Sequence, residues 1–336
     1  MYDLVDFTGC RRVLRPFGGS DRKFGIEYGG DVYMIKFSEN HAKRSEVSTS
    51  YVNNVISEFI SSHISESIGI PTHKTILGLY NNEVVVACKD FRKTGDSNLE
   101  FAELIRSKYD SNEVKRSVRL NQIYDTLMDA DILSETMKVL SIERYWDTFV
   151  VDALVGNFDR HIGNWGYLVN NDSIRLAPVY DYGSTLYPQL SDYGMSEILN
   201  SEYERLKRCY VFPSPALFIT DEKVGKVGYY DMLASGYDKN CTEAVKRVFP
   251  HVDITKITAI IDNTPLISDV RKEFYKTMLT LRNGLILEKA YNKCLWNGFD
   301  EDSLYRIQNG IQYSEDMLTK GFNIDDVRHK TSHIVK

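Results

Sequence analysis

Residues 156–168 read GNFDRHIGNWGYL, and they crowd Asp159, Arg160, His161 and Asn164 between two apolar runs. Such crowding suits a metal site, a polar turn, or the catalytic loop of a phosphoryl-transfer enzyme. His161 has no second histidine or cysteine at ligand spacing, so it reads as a brace for the loop rather than a metal ligand. The flanking patterns decide what the loop joins.

Upstream, Trp146, Phe149, Val150, Ala153 and Leu154 form a helical apolar stripe that Gly156 ends. Downstream, WGYLVNNDSIRLAPVYD reads as a hairpin turning at Asn170 to Ser173 and leading to Asp181-Tyr182-Gly183. Nearer the front, KFGIEYGGDVYMIKF sets two β-rich runs about Gly29-Gly30, a pair suited to a primed turn. Alternation puts Val32, Met34 and Lys36 on one face of the second run, and Tyr33, Ile35 and Phe37 on the other.

The polar stretch SENHAKRSEVSTS reads as a loop. A helix follows, with Val52, Val55, Ile56, Phe59, Ile60, Ile64 and Ile68 at helical spacing before Gly69 and Pro71. A second hairpin, TILGLY with EVVVACKDF, turns at Asn81-Asn82. From about Leu99 to Gly156, and again beyond Tyr187, the patterns are mostly helical. The expected fold is α+β: a small antiparallel sheet with one main helix over residues 1–91, a larger mainly α-helical part over 92–296, and a polar peripheral segment over 297–336.

Of the 336 residues, 43% are hydrophobic and 26% charged, enough to bury a core. A net charge of −6 argues against a general nucleic-acid binder, so no direct nucleic-acid partner is expected. No stretch is long and apolar enough for a membrane span, and MYDLVDFTGC carries no secretory signal. Cys10, Cys88, Cys209, Cys241 and Cys294 are scattered and odd in number, which fits free thiols in a reducing compartment. The expectation is a cytoplasmic protein, with export by a route lacking a cleaved signal left open.

Phosphoryl transfer needs a carboxylate at the attacking oxygen, magnesium against the phosphates, and a cation on their oxygens. Protein kinases supply these in a fixed order: glycine-rich turn, strand lysine, helix glutamate, Asp-x-x-x-x-Asn loop, Asp-Phe-Gly motif. Here YMIK puts Lys36 at the strand position and Glu58 on the next helix, off its main apolar stripe and free to pair with Lys36. Asp159 and Asn164 keep the five-residue interval, and Asp181 opens Asp-Tyr-Gly after a hairpin. Each alone also reads blandly, as a solvated lysine, a surface glutamate, loop polars or a turn. Arg160 reads equally as a contact to phosphate or an ordered segment and as a solvated loop residue. The shared order is what carries the kinase reading.

YMIKF, SEFISSHISESIGI, VVACKDF, GNFDRHIGNWGYL, APVYDYGSTLYP and IDNTPLISDVRKEF resemble the HipA-like serine/threonine kinase family, and within it the stand-alone CtkA type, from about Asp6 to Leu287. The resemblance implies a bilobal protein-kinase-like fold that binds ATP and Mg2+ and phosphorylates serine or threonine on proteins. It implies Asp159 as the catalytic aspartate, Asn164 and Asp181 as magnesium ligands, and Lys36, kept in place by Glu58, as the phosphate-contacting lysine. Backbone atoms of Ala87, Cys88, Lys89 and Asp90 become the adenine-holding hinge. In FGGSDRKFG, Gly18, Gly19 and Ser20 stand where phosphates are contacted, and Ser20 is the candidate autophosphorylation site.

The sequence departs from ordinary kinases in three places: Asn157-Phe158 precede Asp159, no Ala-Pro-Glu follows Asp181, and the glycine loop is not Gly-x-Gly-x-x-Gly. The resemblance leaves two roles open, a toxin with a cognate antitoxin and a host-directed effector. The rival readings are a phosphoinositide-type lipid kinase, a weakly active pseudokinase scaffold, and a metal-dependent hydrolase built on Asp159 and His161.

Overall fold

The computed structural model describes residues 2–18, 22–38, 53–109, 118–219, 226–296 and 298–320. Its first part is a six-stranded sheet in the order β1-β5-β6-β4-β3-β2. The strands are β1 (Val5–Asp6), β2 (Arg12–Val13), β3 (Lys23–Tyr28), β4 (Asp31–Phe37), β5 (Thr75–Tyr80) and β6 (Glu83–Lys89), with helix α1 (Asn54–Ser67) between β4 and β5. The two hairpins form because Gly29, Gly30, Asn81 and Asn82 all take positive φ, as a two-residue primed turn demands. The expected antiparallel sheet is in fact mixed: β1 runs parallel to β5, with Val5 opposite Gly78. That close approach needs a glycine, since a Cβ on Gly78 would stand 2.3 Å from the Val5 carbonyl oxygen.

Alternation sorts β4. Tyr33, Ile35 and Phe37 join Phe7, Ile26, Tyr80, Val85 and Ala87 in a core on one face of the sheet, which leaves Lys36 on the other. Helix α1 covers that second face and is buried on nearly every side. Its isoleucines and Phe59 pack into the main core, while its serines meet the rest of the protein. Ser61 Oγ lies 2.7 Å from Thr185 Oγ1, and the Tyr182 hydroxyl donates to Ser65 Oγ at 2.9 Å. At the end of α1, Gly69 N–H donates to the Glu66 carbonyl and Ile70 N–H to that of Ser65, the paired bonds of a Schellman stop at a left-handed glycine.

The second part is mainly helical. It opens with β7 (Ser97–Glu100), α2 (Phe101–Lys108), β8 (Val118–Arg119), α3 (Leu120–Asp129) and α4 (Glu135–Val155). Then come β9 (Gly166–Val169), β10 (Ile174–Leu176), two helices (Asp192–Leu199 and Glu202–Tyr210), β11 (Leu217–Phe218), and further helices of which the last ends at Lys320. Strands β10, β9 and β7 make a small antiparallel sheet. Ser134 caps α4, which is buried along most of its length around Trp146, and Gly156 ends it at φ 68°.

The tail after residue 296 is less peripheral than its polarity suggests. Helix Glu301–Gln308 docks on helix Tyr229–Ala234, where Arg306 donates to Asp231 at 2.6 Å with both side chains buried. A buried ion pair adds to the apolar contact that Ile307 makes with the main core.

Candidate active site

Between the two parts, Lys36 from β4 reaches Glu58 Oε2 at 2.9 Å and Asp181 Oδ1 at 3.0 Å. Glu58 is fully buried, and its other oxygen accepts the Tyr182 backbone N–H and His73 Nε2, each at 3.0 Å. Burial alone would raise the Glu58 pKa, but Lys36, His73 and Tyr182 outweigh it and hold the carboxyl below its ordinary value. Burial likewise opposes the Lys36 charge, and Asp181 and Glu58 overcome it, so the ammonium is kept. Cys88 Sγ lies within 4.8 Å of the Glu58 and His73 ligand atoms. Burial pushes its thiol up and donors already occupy Glu58, so the cluster is a clamp on a carboxylate rather than a metal centre.

Asp181 occupies the left-handed region at φ 63°, a conformation that a short acidic side chain tolerates. Tyr182 behind it is fully buried, with the Arg160 guanidinium 4.7 Å above its ring. Arg160 is thus buried against ordered segments rather than solvated. It pairs two-pronged with buried Asp152, Nε to Oδ2 at 2.8 Å and Nη2 to Oδ1 at 3.1 Å, and also donates to the carbonyls of Asn164 and Tyr180.

Asn157 completes the frame: its Nδ2 donates to Asp152, its Oδ1 accepts the Asp159 N–H at 3.0 Å, and its carbonyl accepts the Tyr229 hydroxyl. Asn164 spends Nδ2 on the Asp159 carbonyl at 2.9 Å, which sets its Oδ1 as the remaining ligand atom. His161 Nδ1 accepts the Gly163 N–H at 3.0 Å, so the histidine braces the turn.

Lys36, Glu58 and Asp181 therefore form one ion-paired junction, and Arg160 ties the loop of Asp159 and Asn164 to the segment that carries Asp181. The expected hinge fits less well. Ala87 and Cys88 have partners on both β4 and β5, Lys89 pairs with Tyr33 of β4 and donates its N–H to the Lys74 carbonyl, and Asp90 N–H donates to Val32 O, so the sheet and its margin already engage this backbone. The Asp90 side chain is buried between Arg15 and Arg92, and Lys89 pairs with Asp31 at the surface. Backbone not held by the ladder begins only at Phe91, whose ring stacks on Tyr180. Gly18 is exposed, and a Cβ on it would lie 3.5 Å from Glu100 Oε1; Gly19 and Ser20 fall outside the described residues.

Sequence reasoning missed Asp152, Asn157 and His73. Asp152 had a signal, since a charge inside FVVDALV must find a partner and Arg160 follows eight residues on. His73 had none, because its partner is set by folding.

A model of the HipA-like C-terminal domain matches residues 16–249. The chain is 36% identical over 295 residues to serine/threonine-protein kinase CtkA of Helicobacter pylori, covering 87% of this chain and 89% of that one. The crystal structure of the Helicobacter pylori proinflammatory kinase CtkA superposes with a TM-score of 0.81 at 34% identity, covering 89% of this chain and all of that one. HipA of Shewanella oneidensis, solved with HipB and its operator DNA, shares the fold at a TM-score of 0.53 and 16% identity, over 83% of this chain and 67% of that one. The chain belongs to the HipA-like family and is a bilobal serine/threonine protein kinase, an enzyme that uses ATP and a divalent metal.

Proposed function

We propose that this cleft transfers the γ-phosphoryl group of ATP to a serine or threonine hydroxyl of a protein, with Asp159 as the catalytic aspartate. The observation that carries it is the junction of Lys36 with both Glu58 and Asp181, beside the Asp159–Asn164 loop. Ionised Asp159 orients the acceptor hydroxyl and takes its proton late in transfer. Lys36 neutralises phosphate oxygens and is kept charged and placed by Glu58.

Asp181 and Asn164 offer a carboxylate and an amide oxygen, a donor set that fits Mg2+, a hard cation that prefers oxygen. When bound, Mg2+ supplies charge neutralisation on the transferred phosphate. Phe91, where the backbone leaves the sheet, is the proposed contact for the adenine. Ser20 is the proposed autophosphorylation site. A cognate antitoxin is a further partner to test, by co-purification of the tagged chain with proteins from its own operon.

The test is incubation with ATP and Mg2+, followed by phosphosite mass spectrometry on the enzyme and on a lysate, with phosphoinositide vesicles as a parallel acceptor. Phosphoserine or phosphothreonine lost in both Asp159→Ala and Asp181→Ala is expected. Activity retained in both variants, or label confined to lipid, overturns the reading.

A further inference from the structure

The Glu58 carboxylate is met by donors from three separate parts of the chain. Lys36 and the Tyr182 N–H belong to the cleft already described; His73 does not. His73 sits on the link between α1 and β5, buried, with Nε2 3.0 Å from Glu58 Oε1 and 3.1 Å from Ser62 Oγ. A carboxylate only accepts, so this nitrogen carries the hydrogen.

The link itself is fixed to the strand end that leads to Asp181. His73 N–H donates to the Val179 carbonyl at 3.0 Å, Val179 N–H returns a bond to the Pro71 carbonyl at 2.8 Å, and Thr72 bridges Val179. One residue therefore joins the helix that carries Glu58, through its imidazole, to the segment that carries Asp181, through its backbone N–H.

We propose that His73 is a positioning residue for phosphoryl transfer. It holds Glu58 Oε1 so that Oε2 faces Lys36, and it locks that setting to the placement of Asp181. The terminal torsion of a glutamate is soft, so the direction of Oε2 depends on what holds Oε1. Without His73 a single backbone N–H is left on that oxygen, the buried carboxylate is short of a donor, and α1 can turn Glu58 away from Lys36. This inference rests on the kinase reading for its effect on rate, but not for its effect on structure.

The experiment compares the full chain with His73→Gln, which returns an N–H donor near the lost Nε2, and His73→Leu, which fills the space without one. Turnover of ATP with magnesium and amide hydrogen exchange over residues 179–185 are measured on all three. His73→Leu is expected to lose about tenfold or more in kcat, the scale of one charge-assisted hydrogen bond, with a much smaller change in the KM for ATP. It also exchanges faster at Tyr182, and His73→Gln recovers most of both. Equal kcat and exchange in wild type and His73→Leu overturn the proposal, as does a glutamine variant no better than the leucine one. If wild type itself lacks turnover, the kinase reading fails, and the exchange comparison alone still decides whether His73 holds this junction.

Discussion

Lys36 and Asp181 stand 145 residues apart in the chain, and their charged atoms are 3.0 Å apart in space. With Glu58 on the other side of the ammonium, this contact ties the sheet, α1 and the metal-motif segment together. A charge held so close by two carboxylates is set up for catalysis and also bears on stability.

Replacing Lys36 with Ala removes a preorganised cation. We expect a loss of roughly 10²–10³-fold in kcat, the usual cost of one such donor. Radiolabelled phosphate transfer checks it, with circular dichroism confirming that the variant is folded.

Asp159→Asn keeps the shape of the side chain and removes the proposed base. The kcat should fall by about 10²–10⁴-fold while nucleotide affinity stays the same. Calorimetric titration of a non-hydrolysable ATP analogue separates the two effects, and a matching fall in affinity counts against a purely catalytic role.

Arg160 and Asp152 form a buried pair with an aromatic ring beneath the guanidinium. Asp152→Ala strands a buried cation and should cost about 3–5 kcal/mol. A fall of several degrees in the melting midpoint, with lost activity because the loop is unframed, is the outcome looked for in thermal melts and kinase assays.

Gly156 ends α4 at φ 68°, and a Cβ there would lie 2.8 Å from Pro213 Cγ. Gly156→Ala carries the left-handed penalty of about 1–2 kcal/mol as well as that clash. Chemical denaturation should show a lower midpoint with an unchanged slope.

Acid should weaken the junction in a defined window. The folded Glu58 pKa lies below its ordinary 4.5, so the carboxylate stabilises the fold above that value, and the contribution is lost as pH falls through the depressed folded pKa. The stability gap between wild type and Glu58→Gln should stay flat from about pH 5 to 8 and shrink below about pH 4. A gap that changes within the neutral range would count against the assignment.

Local chemistry determined much of this protein. The Gly29-Gly30 and Asn81-Asn82 turns, the alternation that frees Lys36 from the core, the stop at Gly69 and the five-residue interval from Asp159 to Asn164 are properties of short stretches. So the hairpins, α1 and the tight turn from Asp159 to Asn164 were legible, and their order pointed to the family.

What the chain alone did not contain was who meets whom at long range. Burial of the serine face of α1, the pairing of Arg160 with Asp152, the sheet's hold on Ala87 to Lys89 and the grip of His73 on Glu58 all depend on surfaces that exist only once the chain has folded. A polar side chain inside a protein must find a partner, but sequence spacing names that partner only within a turn or two of helix or across a tight hairpin. Across 145 residues, the fold names it.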